Sequence, residues 1–129
     1  MYFDFEKDLK VSDLGVENLL TRVQKVFPKA IKVEGYFPGY DVVIPETGER
    51  WEVKEDFLAK KTGNYFIESK CLEETKATHW VIIDGEKAVR VGVSTLKELV
   101  KDLPEKVSPP KGKDGERKGK LLPCQTLYK

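Results

Sequence analysis

Between positions 40 and 54 the chain reads YDVVIPETGERWEVK, two β-prone runs around a turn rich in Pro, Thr and Gly. A hairpin of this kind leaves little freedom in register. Whether PETG is a four-residue loop or only Glu46 and Thr47 turn, position 44 faces 49 and Asp41 faces Glu52. Side chains alternate along a strand, so Lys54 shares the face of Glu52, while Trp51 and Val53 point to the other side, toward a core.

The rest of the chain reads as a helix, further short strands and a second helix. Val16, Leu19, Leu20, Val23, Val26 and Phe27 recur at helical spacing after Ser12, a residue suited to an N-cap, and Pro28 stops the run. Residues 30–36 form a strand before the hairpin. The polar stretch 56–64 holds a KKTGN turn, 65–68 alternates as a brief strand, and 71–77 has room for two helical turns. Residues 79–83 and 88–93 flank Asp84-Gly85, which suits the positive φ of a tight turn, and so read as a second hairpin. Thr95 with Glu98 forms a capping-box pattern for a last helix through about Leu103. Residues 108–120, rich in Lys, Gly and Pro, read as a basic flexible segment. The expected whole is one α/β domain over residues 1–129.

Charge narrows the partners. With 23 Lys and Arg against 22 Asp and Glu in 129 residues, the net charge is +1, so the chain is no polycation and any anion must be met locally. The 40% of hydrophobic residues exclude wholesale disorder. No apolar run approaches the roughly 18 residues that span a bilayer, and MYFDFEKD lacks a signal peptide's pattern, so a cytoplasmic protein away from membranes is expected. Cys71 and Cys124 have no zinc-type spacing. A single histidine, His79, excludes a His-based metal site or triad.

Two carboxylates about 5 Å apart repel by roughly 3 kcal/mol at an effective dielectric near 20, so a cation belongs between Asp41 and Glu52. Two readings fit. Lys54 alone closes a surface salt-bridge cluster, or a hard divalent cation such as Mg²⁺ sits on the carboxylate oxygens.

At GYDVVIPETGERWEVK the sequence resembles the PD-(D/E)XK nuclease superfamily, especially phage and archaeal-virus endonucleases and archaeal Holliday-junction resolvases. TGNYFIES and TKATHWVII extend the likeness over most of residues 12–103. Tyr40 stands where the motif's name-giving proline would be. The resemblance implies a restriction-endonuclease-like mixed β-sheet flanked by helices, an αβββαβ core followed by a hairpin and a helix. It implies hydrolysis of DNA phosphodiester bonds with Mg²⁺ or Mn²⁺, and a homodimer for resolvase-like members. Carried over, Asp41 and Glu52 bind the metal, Val53 lends its carbonyl oxygen, Lys54 positions or activates the attacking water, and Glu17 is the helix acid.

Other residues rank below these. Glu17 borders the apolar stripe of the first helix, where a solvated flank is the plainer use; Glu6 and Asp13 are weaker substitutes, and Glu68 either lines the cleft or faces solvent. Lys60, Lys61, Lys76, Lys111, Lys113, Arg117, Lys118 and Lys120 are the available phosphate contacts. Tyr36, Phe37 and Tyr40 are placed to stack on unpaired bases or to cover a sheet edge. Against the nuclease stand an inactive nucleic-acid-binding module, in which Asp41 and Glu52 only pair salt bridges, and a structural viral protein.

Overall fold

Four successive residues of HWVII, from Trp80 to Ile83, are buried. A strand apolar on both faces belongs in the middle of a sheet covered on both sides. The computed structural model describes residues 2–4, 16–33, 40–56, 58–84, 87–108 and 116–127. Along the chain run β1 (Tyr2–Asp4), α1 (Val16–Val23), β2 (Ile31–Lys32), β3 (Val42–Ile44), β4 (Glu49–Glu55), α2 (Ala59–Thr62), β5 (Asn64–Glu68) and α3 (Ser69–Glu74). They continue as β6 (His79–Ile83), β7 (Lys87–Gly92), α4 (Val93–Val100), β8 (Glu105–Ser108), β9 (Arg117–Pro123) and a 3₁₀ turn, Cys124–Thr126.

The strands form two sheets. Six lie in the order β1-β7-β6-β4-β3-β2, with β4 and β6 parallel and the other neighbours antiparallel; three lie in the order β5-β9-β8. The architecture is thus mixed α/β, a mixed sheet flanked by helices.

Alternation divides the core in two. Leu19 and Val23 of α1 pack with Val42, Ile44, Trp51, Val81, Ile83 and Ala88 on one face of the large sheet. Trp80, Ile82, Val89 and Val91 face the other way, against Tyr65, Ile67, Leu122 and the residues of α3 and α4. Trp51 and Trp80 are both essentially sealed from solvent, on opposite sides. Burying a large apolar side chain contributes about 1.5–3 kcal/mol, so each tryptophan anchors its own layer.

The structure corrects several sequence expectations. Residues 59–62, read as part of a turn, form α2, which Gly63 ends at φ 75° in the left-handed conformation. Helix α3 begins at Ser69 and gives way to extended backbone at Thr75. Helix α4 begins at Val93 with Gly92 as its N-cap, so Thr95 lies inside the helix and makes no capping box with Glu98. The helical bonding after Val23 persists, with the Phe27 N–H donating to the Val23 carbonyl at 2.8 Å, as far as Pro28 permits. The supposed N-cap Ser12, residues 34–39 and Gly85 lie outside the described residues.

The largest correction concerns the C-terminal segment. Residues 117–120 belong to β9, the central strand of the small sheet, paired with both β5 and β8. Glycine misled the reading. Gly119 is buried, and a Cβ there would stand 2.5 Å from the Ile67 carbonyl oxygen and 2.7 Å from the Phe66 ring. It serves close approach of two strands, not chain freedom. Of that segment, residues 109–115 lie outside the described residues, Lys111 and Lys113 among them.

Candidate active site

Strand β4 carries the site because its two faces have different jobs. Trp51 is buried under α1, while Glu52 and Lys54 lie on the opposite face with Trp80 and Ile82 of the parallel neighbour β6. The hairpin register is the expected one, with Val42 opposite Trp51 and Ile44 opposite Glu49.

Asp41 departs from it. Its backbone N–H donates to the carbonyl of Trp51 at 2.7 Å, the residue already paired with Val42, and the ladder ends there. The expectation that Asp41 directly faces Glu52 is therefore corrected by one position. The slip brings the Asp41 carboxylate onto the β4 backbone, where Oδ2 accepts the Val53 N–H at 2.8 Å. A carboxylate that takes a backbone N–H is oriented at little entropic cost.

Glu52 is held on two sides. Its Oε1 accepts the Thr75 hydroxyl at 2.8 Å, and its Oε2 meets the Lys54 ammonium at 2.7 Å. The Thr75 oxygen in turn accepts the Trp80 indole N–H at 3.3 Å and the Ala77 N–H at 3.2 Å. The Lys54 Nζ also sits 5.0 Å from the centre of the Trp80 ring, within cation–π range. Burial pulls the Lys54 pKa down, but the Glu52 hydrogen bond and charge, with Cys71 and Glu68, outweigh it and leave the pKa raised. Lys54 is therefore an ammonium at neutral pH.

Lys54 opens onto a cleft of about 920 Å³ that also takes Asp56, Phe66, Glu68, Trp80 and Arg117 into its walls. Sequence reasoning ranked Glu68 low. Its position at the end of β5, on the cleft side of the small sheet and electrostatically felt by both Lys54 and Cys71, required the fold. Burial, the first cause, and the nearby carboxylates keep the Cys71 thiol raised although Lys54 opposes them, so it is no thiolate nucleophile.

Glu17 is a different case. It lies in α1, and α1 packs through Leu19 and Val23 on the sheet face opposite that of Glu52 and Lys54. The Glu17 side chain itself lies outside the described residues. Glu6, Asp13, Tyr36 and Phe37 lie outside the described residues. Among the described residues no three His, Cys, Asp or Glu side chains gather into a metal-holding group.

The cations expected to meet phosphate are dispersed. Lys60 and Lys61 are exposed on α2, Lys76 is exposed after α3, and Lys118 is exposed on β9. Lys120 is pinned, its ammonium donating to the Leu103 carbonyl. Arg117 lies over the Phe66 ring at 5.7 Å in the cleft wall. No helix among the described residues is long and apolar enough to cross a membrane. Neither a family model, nor a curated protein, nor a solved structure matches the chain.

Proposed function

We propose that the chain is a divalent-metal-dependent nuclease that hydrolyses DNA phosphodiester bonds, of the endonuclease or junction-resolvase type. One observation carries the reading: an ammonium, Lys54, is held at 2.7 Å by Glu52 on the wall of a cleft, and the residue between them, Val53, supplies the amide that fixes the Asp41 carboxylate. A carboxylate pair with an adjacent lysine is what phosphodiester hydrolysis asks of a protein.

The donor set suits Mg²⁺ or Mn²⁺, because Asp41 and Glu52 offer hard carboxylate oxygens and the Val53 carbonyl belongs to the same short stretch. Each carboxylate oxygen has two lone pairs, so the bonds from Val53 N–H and Thr75 leave acceptor capacity. A bound ion would supply Lewis acidity and a water of lowered pKa. The chain's own part is positional. Thr75 and the Val53 N–H orient the two carboxylates, and Lys54 brings positive charge to where phosphate charge develops. Trp80, under the Lys54 ammonium, keeps that side of the cleft apolar and the charge effective. Glu68 is a better candidate than Glu17 for a third acid, since it borders the same cleft.

The test is cleavage of labelled duplex, single-stranded and junction DNA with Mg²⁺, with Mn²⁺ and with EDTA. Metal-dependent products that vanish in Lys54→Ala support the nuclease. A folded protein that yields none on any substrate returns the site to a salt-bridge cluster.

A further inference from the structure

On β4 the residues of one face run Arg50, Glu52, Lys54, at about 6.7 Å per pair of residues. Lys54 opens on the cleft. Arg50, at the other end of the row, lines a separate shallow groove of about 780 Å³ with Tyr40, Thr75, Lys76, Thr78 and Lys97. Thr75 links the two depressions, since its hydroxyl donates to Glu52 while its residue lines the groove.

The groove differs from the cleft in charge. The cleft wall mixes Lys54, Lys106 and Arg117 with Glu55, Asp56 and Glu68. Among the described residues the groove holds Arg50, Lys76 and Lys97 with no acidic residue in its lining. Among the described residues none of these three cations is paired with a carboxylate. Arg50 is also oriented: its guanidinium lies 5.8 Å over the Tyr40 ring and its Nε donates to the Lys76 carbonyl at 3.1 Å. That tie binds the arginine to the backbone of the loop carrying Lys76. In a chain of net charge +1, three cations in one groove with no carboxylate among its described lining residues form a local anion-binding field. The Tyr40 ring in the same lining adds aromatic surface of the kind found where protein meets a sugar-phosphate chain.

We infer that this groove is the track for the phosphodiester backbone of the nucleic acid, delivering it along β4 past Arg50 to Glu52. The inference rests on the nuclease reading for the direction of travel, but not for binding itself. It adds Arg50 and Lys97 to Lys76 and moves the contact surface away from the C-terminal segment.

The experiment is fluorescence anisotropy of short fluorescein-labelled duplex and single-stranded DNA in EDTA, so that binding is read without cleavage, over a range of salt. The triple variant Arg50→Gln/Lys76→Gln/Lys97→Gln should flatten the slope of log K against log salt by about 2–3. The charge-matched control Lys25→Gln/Lys29→Gln/Lys118→Gln, with all three positions exposed and outside the groove lining, should leave the slope at the parental value. Because Arg50→Gln removes a tie to the Lys76 loop, the double variant Lys76→Gln/Lys97→Gln is measured too and should flatten the slope by about 1.5–2. An unchanged slope in both groove variants, or equal flattening in the control, overturns the inference. Cleavage in Mg²⁺ is scored separately. Groove-dependent binding without products keeps the track and removes the nuclease, whereas products with an unchanged slope keep the nuclease and remove the track.

Discussion

Of the three glutamates of strand β4, Glu49 and Glu52 stand three residues apart on opposite faces of the sheet, and their surroundings differ in kind. Glu49, on the α1 side, takes the Arg90 guanidinium at 2.6 Å and the Trp51 indole N–H at 2.9 Å on one oxygen, with His79 at 3.4 Å. Arg90 also lies 5.6 Å over the Trp51 ring. Glu52, on the cleft side, has one hydroxyl and one ammonium. A guanidinium on an aromatic face is a rigid partner that never loses its charge, and a lysine is a mobile point charge. Glu49 is thereby fixed into a structural clasp joining β4, β6 and β7, while Glu52 keeps partners that can rearrange around an incoming ion or phosphate.

The contrast predicts opposite profiles for the two cations. Lys54→Ala should lower the cleavage rate on the order of 10² or more. Its cost in stability should stay within about 1 kcal/mol, because Lys54 is a third exposed and its pair with Glu52 is partly screened. Arg90→Ala should do the reverse and destabilise by about 2–3 kcal/mol, since it strands a carboxylate only 15% exposed. Urea unfolding beside single-turnover cleavage separates the two. A Lys54→Ala protein that stays folded and cuts at the parental rate breaks the comparison.

Metal binding sharpens it further. Mg²⁺ or Mn²⁺ should raise the melting temperature, approaching 2.7 kcal/mol of added stability at about a hundredfold excess over Kd. Asp41→Asn and Glu52→Gln should each lose the response, and Glu49→Gln should keep it. A response unchanged in both cleft-side variants would place the ion elsewhere.

How far these regions were legible depends on what carries the information. Register and face in the β3–β4 hairpin follow from period-two alternation and turn length, so the positions of Trp51, Glu52 and Lys54 were readable from sequence. The slip at Asp41 was not, because it trades a ladder bond for a side-chain bond to Val53 with no sequence mark. Strand β9 hid for another reason. Its Gly and Lys content is that of a linker, and only its neighbours reveal that Gly119 is demanded by the backbone of β5. The groove was illegible for a third reason: Arg50, Lys76 and Lys97 come from β4, a loop and α4, and only packing brings them together.

The smallest effect tests the Glu49 clasp through pH. Burial raises the Glu49 pKa, but the Trp51 and Thr47 hydrogen bonds and the charges of Arg90 and His79 outweigh it, leaving it below the ordinary 4.5. A depressed carboxylate contributes stability that is present above 4.5 and is lost as pH falls through the folded value. His79 is also lowered from 6.5, by burial first and by Arg90, against the pull of Glu49. The folded state therefore prefers its neutral imidazole, and below pH 6.5 the unfolded chain binds the extra proton, so stability falls with pH there as well. Urea midpoints should decline in two steps on acidification, the first beginning near pH 6.5 and the second below 4.5. His79→Gln should remove the first and Glu49→Gln the second, while Glu52→Gln leaves both in place. Stability that instead rises as pH drops through 6.5 would mean that an imidazolium–Glu49 ion pair outweighs burial, and the clasp would then share the adaptable character of the cleft side.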